Sequence, residues 1–152
     1  MIITPEYFYN CGIPTSTDID RNEVNFAIDT VTHTIIYDYL GAEKLNDIIE
    51  NPETEENILI INGNGAFPGL RLALVHLVFA YLLFDRIRLT RYSSVVKDDE
   101  HSKDPDYKDI YSVAQMHFET GMVFLRRIVV DAMHKELPAT QNGFIFGELF
   151  MF

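Results

Sequence analysis

Apolar residues recur at three-and-four spacing along two long stretches of the chain, a period that predicts amphipathic helices. The first stretch puts Val24, Ala27, Ile28, Val31, Ile35 and Tyr39 on one face, and Thr17 or Asp18 stands ready to cap its start, so a helix is expected over 19–40. Gly41 suits the left-handed position after a helix end. Residues 42–50 then carry Leu45, Ile48 and Ile49 on one side of a short helix closed by Asn51-Pro52. The run Asn57-Ile-Leu-Ile-Ile-Asn62 is too short for its period to separate helix from strand, and Gly63-Asn-Gly65 ends whichever forms.

From Leu70 to Phe84 the pattern is apolar nearly all round, interrupted by Arg71 and His76, which marks a helix at the centre of a bundle. A membrane span needs roughly 20 apolar residues, and Leu72 to Phe84 falls short of that between Arg71 and Asp85. Arg86-Ile-Arg-Leu-Thr-Arg-Tyr92 alternates with period two, Ser93-Ser94 offers a turn and Val95-Val96 a return, so a small hairpin is expected at about 86–97. The charged stretch Lys97 to Asp106 reads as a loop. A long last helix follows over 107–135, ahead of Pro138, with Ile110, Ala114, Phe118, Gly121, Leu125, Ile128 and Ala132 on one stripe and Tyr107, Tyr111, Met122 and Val129 widening it.

Both ends differ from this core. Residues 1–17 mix Ile2, Ile3, Tyr7, Phe8 and Tyr9 with Pro5, Gly12 and Pro14, the composition of an extended arm that needs docking. Residues 138–152 end in Gly143-Phe-Ile-Phe-Gly-Glu-Leu-Phe-Met-Phe152, whose four phenylalanines call for a surface of the same or another chain. The expected fold is mainly α. It is one domain over 1–152: a helical core over 18–137 with a central apolar helix, a long C-terminal helix and one short β-hairpin or extended insertion, flanked by extended termini.

The 152 residues suffice for one self-supporting core, and 47% hydrophobic with 12% aromatic is rich enough to suggest burial against other chains. Twelve Lys and Arg against 23 Asp and Glu give a net charge of −11, the wrong sign for gripping nucleic acid or an anionic membrane. An acidic wall still lets DNA slide past without sticking. The single cysteine, Cys11, excludes an internal disulfide and a cysteine zinc cluster, and the start lacks the basic and apolar regions of a secretory signal, so cytoplasmic synthesis is expected.

Candidate chemistry is sparse. Asp29 with His33, and Asp131 with His134, sit at helical offsets that suit a metal, but the full set of a helical-bundle di-metal centre is missing. No nucleophile elbow, phosphate loop or His-Glu-x-x-His is present, and Cys11 has no base near it in sequence. No catalytic residue, metal ligand or cofactor is therefore expected. The one basic cluster is Arg86, Arg88 and Arg91, with Tyr92, Val95 and Val96 beside it. In a hairpin these read either as a charge-protected edge or as a contact with carboxylates of a second copy.

The order of parts carries a resemblance. A first helix ending Tyr37-Asp-Tyr-Leu-Gly41, a short second helix, an apolar helix closing Phe79-Ala-Tyr-Leu-Leu-Phe84, the segment Arg88-Leu-Thr-Arg-Tyr-Ser-Ser-Val-Val-Lys97, a polar loop and a long final helix together resemble the head-tail connector or adaptor family of tailed phages. The likeness is strongest to the neck rings of crAss-like and other Bacteroidetes phages, and covers about Asp18 to His134. It implies a non-enzymatic virion protein of the neck, twelve copies of which commonly close a ring between portal and tail around the DNA channel. It also implies contact with portal and other neck or tail proteins, DNA passing without sequence-specific binding, and no membrane. The candidate joints are the hairpin residues Arg86, Arg88, Arg91, Tyr92, Val95 and Val96, with Ile2, Tyr7 and Phe8 of the arm and Phe144, Phe146, Leu149, Phe150 and Phe152 of the tail. The other reading of the residues is an acidic helical regulatory or inhibitor-type module that grips a single partner.

Overall fold

The computed structural model of the chain describes residues 1–13, 19–96 and 107–135, with backbone alone for 87–96 and 107. Among these residues the protein is a small helical bundle of six helices without a strand. Helix α1 (Pro5–Tyr9) is capped by Thr4, whose Oγ1 accepts from Tyr7 N at 3.1 Å. Helix α2 spans 21–40 and is built from α-helix Arg21–Val31, one π-helical turn Thr32–Ile36 and α-helix Tyr37–Leu40. Its cap is Asp20, accepting from Asn22 N at 2.8 Å, which moves the start two residues inward from the expected one. All six residues of the expected stripe are buried.

Gly41, at φ +84°, ends α2 and lets α3 (Ala42–Glu50) leave in a new direction. The run that periodicity left open is α4 (Glu55–Asn62), capped by Thr54. Helix α5 (Leu70–Val96) is the centre of the bundle, and α6 (Tyr107–Arg127) packs along it before ending in a π-helical turn, Ile128–Ala132. Helix α2 covers another side of α5. None of the described helices is long and apolar enough to cross a membrane.

Close packing of α5 on α6 depends on one missing side chain. A Cβ at Gly121 would stand 2.7 Å from Leu77 Cγ and 3.1 Å from the Ala73 carbonyl, so the two backbones approach as near as they do only because Gly121 has none. Ala73, Leu74, Leu77 and Val78 of α5 and Ala114, Leu125 and Ile128 of α6 are sealed from solvent.

Two expectations are corrected. The hairpin at 86–97 is not formed, since α5 continues as helix through Val96. Adding a turn to an existing helix needs no new nucleus, no Gly or Pro lies between Leu70 and Val96, and Arg, Leu and Ile are at home in helices, so seven residues of alternation do not win. The N-terminal arm is likewise less extended and less free than its composition suggested. It contains α1, and Ile2, Ile3 and Phe8 enter the chain's own core, Phe8 with no exposed surface.

Arg71 of α5 secures the arm by donating from Nε to the Ile2 carbonyl at 3.3 Å and from Nη1 to Asn62 Oδ1 at 3.2 Å. Its guanidinium also lies 5.4 Å from the Tyr7 ring centroid, and Tyr9 Oη donates to the Ile19 carbonyl at 2.8 Å. Phe8→Ala is expected to lower unfolding free energy by about 3–5 kcal/mol, measured by urea denaturation, because it empties a sealed site. Gly121→Val should cost about 1–3 kcal/mol in the same assay, through the forced separation of α5 and α6.

Candidate functional site

The residues picked from sequence as joints are divided by the fold. Ile2 and Phe8 are interior and therefore closed to a partner, while Tyr7 remains 40% exposed beneath Arg71. Arg86 is exposed on α5. Arg88, Arg91, Tyr92, Val95 and Val96 lie on the helical backbone of α5, and their side chains fall outside the described residues. The tail residues Phe144, Phe146, Leu149, Phe150 and Phe152 also fall outside them.

Surfaces that sequence reasoning passed over are the outward faces of the two helices flanking α5. On α6 and its last turn, Val113, Met116, Val123 and Val130 are exposed, Met116 by 54%. With Thr120 and Arg127 they follow a three-four-three-four-three spacing that keeps them on one face. That face points away from the buried Ala114, Leu125 and Ile128. On α2, Phe26 is 64% exposed and Tyr37 45%, aligned with Thr30 and His33 on the side opposite Val24, Val31 and Ile35. The α6 stripe was visible in the sequence as a second, weaker period behind the core stripe.

Between α5 and α6 lies a half-buried pair, His76 and His117, whose Nδ1 atoms are 2.9 Å apart. The rings stack at 5.2 Å and 25°, with Phe124 edge-on to His76 at 5.5 Å and Phe79 edge-on to His117 at 4.7 Å. One Nδ1 must donate and the other accept, so the bond forms only while one ring is neutral at that atom. Burial holds His76 below the ordinary histidine value, helped by the charge of His117, and burial does the same to His117. The arrangement is a polar clip that fixes the axial register of α5 against α6.

A second polar cluster joins α3 to α4. Asn57, fully buried, donates to the Asn51 carbonyl at 2.8 Å and to Asp47 Oδ2 at 3.1 Å, and accepts from Lys44 Nζ at 2.9 Å. Lys44 also reaches Glu56 at 2.9 Å and Asp47 at 3.4 Å. Hydrogen bonds from Asn57 and then Asn51 hold the Asp47 carboxyl below its usual range. Beside this cluster an open groove of about 710 Å³ is lined by Glu43, Lys44, Asn46, Asp47, Glu50, Asn51 and Lys135. Its lysine Lys44 is already spent on the α3–α4 joint.

The two Asp/His offsets do not assemble ligands. His33 Nδ1 lies 2.8 Å from the Asp29 backbone carbonyl rather than its carboxylate, and His134 takes φ +53° beyond the end of α6. Among the described residues, no three His, Cys, Asp or Glu side chains gather as a metal site would need. Comparison of the chain with protein-family models, with curated proteins and with solved structures finds no match.

The histidine clip has a pH signature. Both folded values lie below the ordinary 6.5, so the unfolded chain takes up these protons first. Stability from the pair is complete above that value and is lost as pH falls below it. Thermal melts between about pH 7.5 and pH 5 should therefore show a falling midpoint, and the double variant His76→Phe, His117→Leu should flatten that slope. Equal slopes would mean that other groups carry the acid sensitivity.

Proposed function

We propose that this chain is a structural subunit of a tailed-phage neck, a head-tail connector that closes into a ring and extends the DNA channel between portal and tail. The order of its main parts supports the reading: α2 ending Tyr37-Asp-Tyr-Leu before Gly41, the short α3, the central apolar α5 and the long α6, as in the connector family it resembles. The observation that carries it furthest is the exposed apolar residues on the outward sides of two helices, Phe26 and Tyr37 on α2 and Met116 and Val123 on α6. A ring needs two different sticky surfaces per copy, and a self-contained enzyme or carrier needs neither.

Charge fits the same role. At −11 per copy, an acidic ring would repel the DNA backbone and let the duplex pass. The phenylalanine-rich segment Gly143 to Phe152 is then the candidate contact with the portal and the neighbouring neck proteins. In the competing reading, an acidic module that grips one partner, the protein by itself stays a monomer.

Native mass spectrometry of the purified full chain across a concentration series separates the two. A single closed oligomer, of about a dozen copies if it follows the family, with a ring seen by electron microscopy, is the expected result. A monomer at every concentration would favour the one-partner module.

A further inference from the structure

Arg126 of α6 is a charge set among apolar residues. Its neighbours one turn away, Met122, Val123, Val129 and Val130, are all apolar, and the acids nearest along the helix, Glu119 and Asp131, stand seven and five residues off, spacings that do not bring a carboxylate beside it. The side chain is half-buried, and its Nε is sealed from water without a hydrogen-bond partner. None of the ion pairs among the described residues includes it. A guanidinium stays charged at any ordinary pH, so an orphan donor there costs stability until an anion meets it. The anion that fits carries apolar groups on either side, because Val123 and Val130 flank Arg126 and are 40% and 44% exposed.

The chain carries one such segment nearby. From Gly143 to Phe152 the even positions read Phe144, Phe146, Glu148, Phe150 and Phe152, and Glu148 is the only charged side chain in the segment. Period two puts the five on one side of an extended chain, spaced about 6.6 Å apart, against about 4.5 to 6 Å for three or four residues of helix. Laid antiparallel to α6 with Glu148 at Arg126, the segment brings Phe146 to Val130 and Phe150 to Val123.

Its point of departure is fixed. Lys135 donates from its backbone N to the Val129 carbonyl at 3.1 Å and from Nζ to the Leu40 carbonyl at 3.3 Å. Arg126 lies back along the helix by about 14 Å of rise, and the chain from Lys135 to Glu148 reaches about 43 Å when extended, so the tether does not limit the contact. A tether this short also holds the segment at about millimolar local concentration, which favours its own α6 over that of another copy.

We propose that residues 143–152 dock on the C-terminal half of α6 of their own chain, with Glu148 on the Arg126 guanidinium and Phe146 and Phe150 on Val130 and Val123. The phenylalanines take the exposed valines out of water, and the carboxylate supplies the acceptor that Arg126 lacks. The docking does not depend on the connector reading. In a connector, a neighbouring copy gains this part of α6, and the portal gains the segment, by exchange for the contact within the chain.

The test is a cysteine pair in the full chain, Val130→Cys with Phe146→Cys, on a Cys11→Ser background that keeps a donor to the Phe8 carbonyl. Under mild oxidation the pair should close inside a monomer at least ~10-fold faster than the control pair Phe26→Cys with Phe146→Cys, with helicity checked by circular dichroism. Glu148→Arg, a change confined to the segment, should slow closure ~10-fold at low salt and less at high salt, and Arg126→Glu added to it should restore most of the rate.

Closure no faster than the control would overturn the docking. Disulfide-linked dimers in place of monomers would give α6 to the segment of a second copy and overturn it likewise. A rate indifferent to Glu148→Arg would remove the Arg126 pairing and with it the proposal. All three leave the connector reading to the native mass measurement, and a bond closed within a chain that never forms a ring would sink the connector reading while supporting the docking.

Discussion

Everything in this molecule is arranged around a helix that cannot be left in water. Helix α5 is apolar on nearly every side through its first half, and Ala73, Leu74, Val75, Leu77, Val78 and Ala80 are all sealed. A helix of that kind is stable only when other segments wrap it, because burial of an apolar face contributes more to helix stability in proteins than intrinsic propensity does. Helix α6 takes one side, brought close by Gly121; α2 takes another; and the N-terminal arm, with α1 packed on α2, adds Ile3 and Phe8 to the same core. Arg71 reconciles the arm with the helix by spending its guanidinium on a backbone carbonyl, an amide oxygen and the Tyr7 face.

Apolar wrapping alone would tolerate sliding of one helix past another, and two polar joints oppose it. The His76–His117 bond ties α5 to α6 at one level, and Asn57 ties α4 to the Asn51 turn and to Asp47. A buried amide such as Asn57 would cost stability if any of its bonds were lost, so it selects the single arrangement that satisfies them. The histidine bond depends on protonation, which couples the central packing to mildly acidic pH.

With the core closed in this way, the outer sides of α2 and α6 stay outside it, and a connector ring of the kind proposed would draw on them for association. Exposed Phe26, Tyr37, Met116 and Val123 contribute nothing visible to the fold of one copy. Such residues gain where a second surface removes them from water, and two unlike faces on one subunit are what a head-to-tail ring requires. The role proposed for the protein thus falls on the helix sides that its own core does not use.

Periodicity alone determined most of the helices: the stripe of α2, the short α3, the all-round apolar start of α5 and the core side of α6 are local patterns that burial then fills. It could not decide the run at Asn57, because six residues are too few to reveal a period; helix formed there once Thr54 capped it and Asn57 found partners in Asp47 and Asn51. It misread 86–96, where alternation looked like a strand but an already formed helix simply continued. It also sent Ile2 and Phe8 outward, since only the assembled bundle brings α1 onto α2 and the Ile2 carbonyl to Arg71. Which apolar stripe of a helix faces inward, and which is left for a partner, is decided by the neighbours that fold against it, and those neighbours exist only in three dimensions.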